Sequence, residues 1–177
     1  MSMIETERLL LRPIIEDDAK AMFEYCRNEN VGPNAGWKPH ESLEETREVM
    51  EAVFLNQDFV FGMVLKETGV LFGSVGLIPD PKRQNKNVKM IGYAIGEDYW
   101  GKGFATEAAL AMLHLGFGDL ELELISGYCY PFNERSKKVL KKCGFAYEGC
   151  LRLGEERYDG RIMDHECYSI LRTAYHP

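Results

Sequence analysis

The segment at residues 91–108, with the sequence IGYAIGEDYWGKGFATEA, carries residue types and spacing that suit the binding of an anion. A predicted strand leads into a loop that contains Gly101 and Gly103, and a predicted helix follows directly. Glycine lets the backbone approach a ligand closely, and the first N–H groups of a helix have no acceptor within the helix. Together with the positive end of the helix dipole, these groups favour phosphate or pyrophosphate. The alternative is a turn in which glycine serves only the backbone conformation.

Two nucleotide-binding motifs match this segment only in part. Gly96-x4-Gly101-Lys102 agrees with the start of a P-loop, but Gly103 stands where a Mg²⁺-binding Ser or Thr belongs. Gly101-x-Gly103-x-x-Thr106 lacks the third glycine of a dinucleotide fingerprint, and a run of predicted strands precedes it where a βαβ unit should begin. These mismatches disfavour the hypothesis of a nucleotide-binding protein.

Hydrophobic periodicity and turn residues predict strands and helices on both sides of the segment. The predicted strands cover 8–14, 59–65, 70–78, 88–95 and 124–130, and a closing hairpin joins 145–153 to 161–171 around Tyr158-Asp159-Gly160. The predicted helices begin after Asp17, after the capping box at Ser42 (where the helix runs to about Asn56), at about Lys102 and after Asn133. Residues 28–39 are predicted to form a loop. Because no repeat or linker interrupts this order, we predict one α/β domain over residues 1–177.

The composition is that of a globular protein, with 45% hydrophobic and 28% charged residues. The formal net charge of −7 disfavours a general nucleic-acid binder, which would show a basic face, and is compatible with a cationic substrate such as an amine. No stretch approaches the roughly 18–20 apolar residues of a membrane span, and the first residues do not resemble a signal peptide. We therefore expect a cytoplasmic protein that binds neither nucleic acid nor membrane.

The cysteines and histidines show no metal-binding or disulfide pattern. The five cysteines are scattered, without C-x-x-C spacing, and the four histidines form no H-E-x-x-H motif. We expect reduced thiols and no metal site.

The string WGKGFA at residues 100–105 resembles the Q/R-x-x-G-x-G/A pyrophosphate loop of the GNAT N-acetyltransferase superfamily, with Trp100 in place of the usual Gln or Arg. The longer string YWGKGFATEA is similar to the branch that includes the ribosomal-protein N-terminal acetyltransferases. Other parts agree in the same order: ETERLLLRP at the start, GWKP at 36–39, Asn133-x-x-Ser136, CGF at 143–145 and the closing strand at 164–171. The resemblance thus spans nearly the whole chain.

This resemblance implies an α/β (α+β) GNAT fold, a central, mixed and twisted β-sheet of about six to seven strands flanked by about four helices. It implies that the fourth and fifth strands splay apart around coenzyme A. It also implies that acetyl-CoA is the co-substrate, without a metal. The implied cofactor-binding residues are Tyr93, Ala94, Ile95, Gly101, Lys102, Gly103, Phe104, Ala105, Thr106, Asn133 and Ser136.

Acetyl transfer to an amine requires aligned reactants and a proton donor for the leaving thiolate. Ser136 is the predicted donor, because it follows Asn133 by three residues and shares the first helical turn with it. Many family members carry a tyrosine where Leu140 stands. A backbone N–H at Ile95 is a candidate oxyanion donor. The alternative for Ser136 is an ordinary polar residue in a first turn.

The general base stays open among several side chains. The candidates are Glu97 after the central strand and His165 or Glu166 in the last strand, of which His165 has the suitable intrinsic pKa. Some relatives carry a glutamate where Tyr128 stands. Each of these residues also has a structural interpretation, and deprotonation relayed by water needs no dedicated base.

Trp37 and Tyr128 are the predicted acceptor-binding residues, although an aromatic core or interface role is equally compatible with Trp37. The branch resembled implies a protein N-terminus as the acceptor, and the acidic net charge favours a polyamine or another small amine. The rival hypothesis is a non-catalytic acyl-CoA-binding or sensing domain on the same fold, since the usual tyrosine is missing and the base is undefined. A homodimer is compatible with the sequence, but no residue indicates one.

Overall fold

A computed structural model of the protein describes residues 3–55 and 57–176 of the 177-residue chain. Its strands form one eight-stranded sheet in the order β1-β2-β3-β4-β5-β6-β8-β7. The strands are β1 (Ile4–Glu5), β2 (Leu9–Arg12), β3 (Val60–Leu65), β4 (Leu71–Pro79), β5 (Val88–Ile95), β6 (Leu124–Cys129), β7 (Ala146–Glu156) and β8 (Ile162–Leu171). The α-helices of the described residues are α1 (Ala19–Cys26), α2 (Gly32–Ala35), α3 (Leu43–Val49), α4 (Phe104–His114) and α5 (Glu134–Lys142).

The predicted mixed α/β fold is confirmed, and two short elements add to it. The two-residue strand β1 pairs Ile4 with Leu11 of β2, and it is too short for its periodicity to be detected in the sequence. The four-residue helix α2 lies within the predicted loop 28–39 and ends at Gly36, which has a φ of 93°. β5 and β6 run parallel, whereas the pairs β1–β2, β2–β3, β3–β4, β6–β8 and β7–β8 are antiparallel.

The chain divides into two compact units, with boundaries after Gly76, Gly92 and Ala108. The first unit holds the chain up to Gly76 together with Tyr93–Ala108. The second unit holds Leu77–Gly92 and the chain from Ala109 onward. The single domain over residues 1–177 stays a prediction.

In the first unit, α1 packs its apolar face into a buried cluster with residues of β3, β4 and the turn after α3. The prediction that Asp17 begins this helix is wrong. The carboxylate of Asp18 accepts the backbone N–H of Ile15 at 2.9 Å and both arms of the Arg12 guanidinium at 2.7 Å. The ion pair with the preceding strand selects Asp18, and helical spacing alone does not reveal it.

The capping residue of α3 is Ser42, as the sequence predicts. Its hydroxyl accepts the backbone N–H of Glu45 at 3.1 Å, and the Glu45 carboxylate accepts the N–H of Glu41 at 2.6 Å. One π-helical turn, Met50–Phe54, continues the helix. The predicted end at Asn56 lies outside the described residues.

In the second unit, α5 packs directly on β6. A Cβ atom on Gly127 of β6 would lie 2.7 Å from the end of the Leu140 side chain of α5, so a larger residue would require that side chain to move. The side chain of Asn133 accepts the backbone N–H of Ser136 at 3.1 Å and begins α5, as predicted. Gly144 follows the helix with a φ of 85°, which a glycine adopts without strain.

The closing hairpin of β7 and β8 turns at the predicted residues. The N–H of Gly160 donates to the Arg157 carbonyl at 2.8 Å, and the N–H of Arg157 donates to the Arg161 carbonyl at 2.8 Å. β7 extends to Glu156, beyond the predicted end at residue 153. An irregularity between Leu151 and Glu155 interrupts the alternating pattern, so the sequence does not reveal the last residues of the strand.

Candidate functional site

The loop between β5 and α4 contains two glycines in the left-handed region of backbone conformation. Gly101 has a φ of 74° and Gly103 a φ of 85°. Other residues would be strained there by roughly 1–2 kcal/mol, so the conformation explains both glycines. A Cβ on Gly101 would meet no atom within 4 Å, so the space beside it is open. The Gly103 carbonyl accepts the N–H of Glu107 at 3.0 Å, which makes Gly103 the first acceptor of α4.

Trp100 fastens this loop to the end of β5. Its indole Nε1 donates a hydrogen bond of 2.8 Å to the Ile95 carbonyl, and its ring packs against the buried cluster of the first unit. The departure from the family motif at this position therefore has a local structural role.

Aromatic rings support the loop from the interior. The rings of Phe72 and Tyr99 stack with centroids 4.3 Å apart, and Phe104 lies 5.3 Å from Phe72. Phe104 is buried, so its side chain belongs to this aromatic cluster. Gly101, Lys102 and Gly103 are exposed above this cluster.

Three of the implied cofactor-binding residues lie at the end of β5, before the loop. Tyr93 and Ala94 are half-buried, and Ile95 is buried. A Cβ on Gly73 of β4 would lie 2.5 Å from the Ala94 carbonyl, so the backbones approach closely here. The N–H of Gly96 donates to the Phe72 carbonyl at 2.8 Å. The half-buried residues Ala105 and Thr106 follow in the first turn of α4.

Arg8 contacts the loop in a way that the sequence does not predict. Its guanidinium donates to the Lys102 carbonyl at 2.9 Å and pairs with Glu107 of α4 at 2.7 Å. It also lies over the Phe104 ring, with its central carbon 4.4 Å from the ring centroid. Arg8 belongs to the ETERLLLRP string, which carries the resemblance but points to no partner in α4.

Two of the predicted site residues of the first unit, Glu97 and Trp37, contact neighbouring residues. The Glu97 carboxylate accepts the side-chain amides of Asn28 at 2.9 Å and of Asn30 at 3.0 Å, and so anchors the segment before α2. The Trp37 backbone N–H donates to the Gly32 carbonyl at 3.1 Å, and a Cβ on Gly32 would lie 2.7 Å from the Trp37 ring. These contacts support the structural interpretation of both, and their functional roles stay predictions.

Ser136 lies in the second unit, in the first turn of α5. Its side chain hydrogen-bonds to Cys129 of β6. Burial raises the pKa of the Cys129 thiol to about 12, and the contact with Ser136 opposes that shift. The roles of Asn133 and Ser136 toward coenzyme A stay predictions.

Tyr128 lies half-buried on β6 within a hydrogen-bonded network. Its hydroxyl donates to the Asp80 carboxylate at 2.8 Å and accepts a short hydrogen bond from Arg83. Burial, followed by the hydrogen bond to Asp80, raises the pKa of Tyr128 to about 12, so its phenol stays protonated near neutral pH. The ammonium of Lys82 lies 4.9 Å from the centroid of the Tyr128 ring.

His165 of β8 lies against the rings of Tyr128 and Tyr130, at centroid distances of 6.3 and 5.5 Å. Its Nε2 lies 2.7 Å from the Glu155 carboxylate, and the Tyr130 hydroxyl donates to the same oxygen at 2.9 Å. A carboxylate only accepts hydrogen bonds, so Nε2 carries the hydrogen, and in the neutral form of the ring Nδ1 holds the lone pair. Within residues 3–55 and 57–176, this buried Nδ1 has no hydrogen-bond partner.

Neither a metal centre nor a membrane-spanning helix is found in the described part of the chain. No three or more His, Cys, Asp or Glu side chains of those residues are grouped so that they would hold a metal ion. No helix among them has the length and apolar character that crossing a membrane requires.

Comparison with known proteins decides the family. The model of the acetyltransferase (GNAT) domain matches residues 8–146. The N-acetyltransferase p20 of Bacillus licheniformis is 31% identical over 179 residues, which cover 99% of each chain. The chain belongs to the GNAT acetyltransferases. Acetyltransferases of this family use acetyl-CoA and act on amines, and the chain is an N-acetyltransferase.

Solved structures agree with this assignment. The GNAT acetyltransferase of Bacillus anthracis superimposes with a TM-score of 0.86 at 27% identity, over 97% of this chain and 99% of the other. The ribosomal-protein-S5-alanine acetyltransferase of Vibrio fischeri gives a TM-score of 0.76 at 26% identity, over 100% of both chains. The resemblance to the branch with ribosomal-protein acetyltransferases is thereby confirmed.

Proposed function

We propose that this GNAT acetyltransferase transfers the acetyl group of acetyl-CoA to the α-amine of a protein N-terminus, and that the loop from Gly101 to Thr106 binds the pyrophosphate. The observation that carries the proposal is the pair of left-handed glycines immediately before the N-terminus of α4. The first N–H groups of α4 and the helix dipole favour an anion there. The backbone of Tyr93, Ala94 and Ile95 is proposed to bind the pantetheine arm.

The reaction requires a neutral amine, which attacks the thioester carbonyl. The amine then loses one proton, and the departing thiolate of coenzyme A gains one. We propose His165 as the base that takes the first proton, because the Glu155 carboxylate, 2.7 Å from Nε2, orients the imidazole and makes Nδ1 the basic atom of the neutral ring. Since Nδ1 is buried, the side chains that cover it must move before it takes the proton. Glu97 is less suited, since its carboxylate already accepts two asparagine amides. Ser136 stays the predicted donor to the thiolate.

The choice of a protein N-terminus rests on the protonation of amines as well as on the similarity to a ribosomal-protein acetyltransferase. At pH 7.5 roughly a third of a free α-amine is neutral, against roughly 0.1% of a lysine-like amine. An enzyme with a single general base therefore acetylates α-amines far more readily than lysine-like amines. A polyamine is the second candidate, because the net charge of −7 favours a cationic acceptor.

Isothermal titration with acetyl-CoA tests the proposed loop. We expect a Kd on the order of micromolar for the wild type, lost in Gly103→Trp, whose ring would occupy the place of the pyrophosphate. The matched control is Gly118→Trp, because a Cβ on Gly118 meets no atom within 4 Å and the residue lies outside the loop. Absence of binding to the wild type, or equal loss in both variants, would refute the loop as the cofactor site.

Turnover assays test the acceptor and the base. We expect a higher kcat/KM for peptides with a free N-terminus than for spermidine, and no reaction with the same peptides blocked at the N-terminus. His165→Ala should lower kcat/KM about 100-fold, whereas the control His114→Ala, at an exposed histidine, should not change it. Faster acetylation of spermidine would assign the polyamine instead, and full activity of His165→Ala would exclude His165 as the base.

A further inference from the structure

The carboxylate of Glu107 lies in the first turn of α4, where the proposed pyrophosphate site requires attraction of an anion. A negative side chain stabilises the N-terminus of an isolated helix, but it repels a second anion at the same place. Three hydrogen-bond donors surround this charge. The Glu107 carboxylate accepts the Thr6 hydroxyl at 2.6 Å, the Arg8 backbone N–H at 2.8 Å and the Arg8 Nε at 2.7 Å.

These bonds hold Glu107 in its charged form. Burial raises the pKa of Glu107, but the hydrogen bonds from Thr6 and Arg8 outweigh it and leave the pKa below its usual value. The carboxylate is therefore ionised at neutral pH, and the Arg8 guanidinium pairs with it at 2.7 Å.

The same guanidinium reaches the loop itself. Its second arm donates to the Lys102 carbonyl at 2.9 Å, and its Nη2 lies 3.4 Å from the place where a Cβ of Gly103 would stand. Arg8 therefore contacts both the loop and the first turn of the helix. The contact gives the Lys102 carbonyl a cationic hydrogen-bond donor.

We propose that Arg8 is the residue that positions and electrostatically prepares the pyrophosphate site, by neutralising Glu107 and fixing the Lys102 carbonyl. This inference rests on the proposed function of the loop. In this arrangement backbone N–H groups bind the phosphates, and the ion pair with Arg8 reduces the repulsion between the Glu107 carboxylate and the phosphates. Arg8 is a positioning residue in this arrangement, since its hydrogen bonds are made to the protein.

The test is a double-mutant cycle of Arg8→Ala and Glu107→Gln, with KM and kcat measured for acetyl-CoA and for S-acetylpantetheine, which lacks the pyrophosphate. Arg8→Ala should raise the KM for acetyl-CoA roughly tenfold, with little change in kcat, because the bare carboxylate then faces the phosphates. The double variant should recover most of that loss. The KM for S-acetylpantetheine should stay the same in all three variants.

Two controls separate charge from folding. Arg12→Ala breaks an ion pair of the same length on β2, with Asp18, and should leave the KM for acetyl-CoA unchanged. Arg8→Lys keeps the charge without the planar fork and should give an intermediate KM, which serves if Arg8→Ala does not fold.

Three outcomes would overturn the inference. The first is a KM for acetyl-CoA as high in the double variant as in Arg8→Ala, because repulsion by Glu107 would then contribute nothing. The second is an equal rise in KM for S-acetylpantetheine, because the effect would then not involve the phosphates. The third is an unchanged KM in Arg8→Ala. Failure of wild-type titration with acetyl-CoA would instead refute the proposed loop function itself, so the two failures are distinguishable.

Discussion

Replacement of Asp80 by alanine is expected to lower the free energy of unfolding by about 3 kcal/mol. The Asp80 side chain has 0% exposure, and it is the common acceptor of the network that holds Tyr128. It accepts the Ser126 hydroxyl at 2.5 Å, the Tyr128 hydroxyl at 2.8 Å and the Lys82 backbone N–H at 2.7 Å. Arg83 pairs with it at 3.1 Å.

The magnitude follows from what each partner loses. Ser126 is fully buried, and its remaining acceptor is the Lys89 carbonyl at 3.4 Å, so its hydroxyl contributes about 1–2 kcal/mol of the cost. The Tyr128 hydroxyl and the Lys82 N–H add about 1–2 kcal/mol together. Arg83 keeps its ion pair with Glu148, so its charge is not left unpaired. The total therefore lies at the lower end of the roughly 3–5 kcal/mol for a broken buried ion pair.

The pH dependence gives the prediction a second readout. Burial raises the pKa of Asp80, but the hydrogen bonds from Ser126, Lys82, Tyr128 and Arg83 outweigh it and lower the pKa below the usual 3.8. A carboxyl with a depressed pKa in the folded state stabilises the protein above its unfolded value and loses that contribution as the pH falls. Wild type should therefore lose more stability than Asp80→Ala as the pH falls below 3.8.

Urea unfolding at pH 7, followed by tryptophan fluorescence, measures the effect. The midpoint should fall while the slope m stays constant. Asp98→Ala is the matched control, because Asp98 is exposed, and it should change the unfolding free energy by less than about 0.5 kcal/mol. A loss below about 1 kcal/mol in Asp80→Ala would refute the reasoning, since the buried hydroxyl of Ser126 would then not depend on the carboxylate.

The remaining predictions concern the site. Gly103→Ala and Gly69→Ala both place a side chain at a positive φ, of 85° and 71°, and should each lose roughly 1–2 kcal/mol of unfolding free energy in urea. Only Gly103→Ala should also weaken the binding of acetyl-CoA in titration. Equally weakened binding in both variants would contradict a specific role of the loop. Ser136→Ala should still bind acetyl-CoA measurably and lose about 100-fold in kcat, and full turnover would exclude it as the proton donor. Glu107→Gln should lose less stability than wild type as the pH falls below 4.5, since the pKa of Glu107 is depressed in the folded state, and identical acid unfolding curves would contradict this.

Several parts of the site follow from patterns that are local in the sequence. The β5–loop–α4 unit was predictable because a strand, two glycines and a helical period occur within one short segment. The capping roles of Ser42 and Asn133 were predictable as well, since each side chain bonds to an N–H three residues ahead. Such contacts depend on neighbours in the chain, so residue type and spacing are sufficient to indicate them.

The sequence alone therefore determined the fold class, the loop and the family, whereas the partners of the charged groups were decided by the tertiary structure. Arg8 and Glu107 are separated by 99 residues, and the Glu155–His165 contact depends on the register of β7 against β8. Asp18 replaces Asp17 because the Arg12 guanidinium selects it. An ion pair or a buried hydrogen bond needs its two groups within a few ångströms, and only folding brings residues from distant segments to that distance.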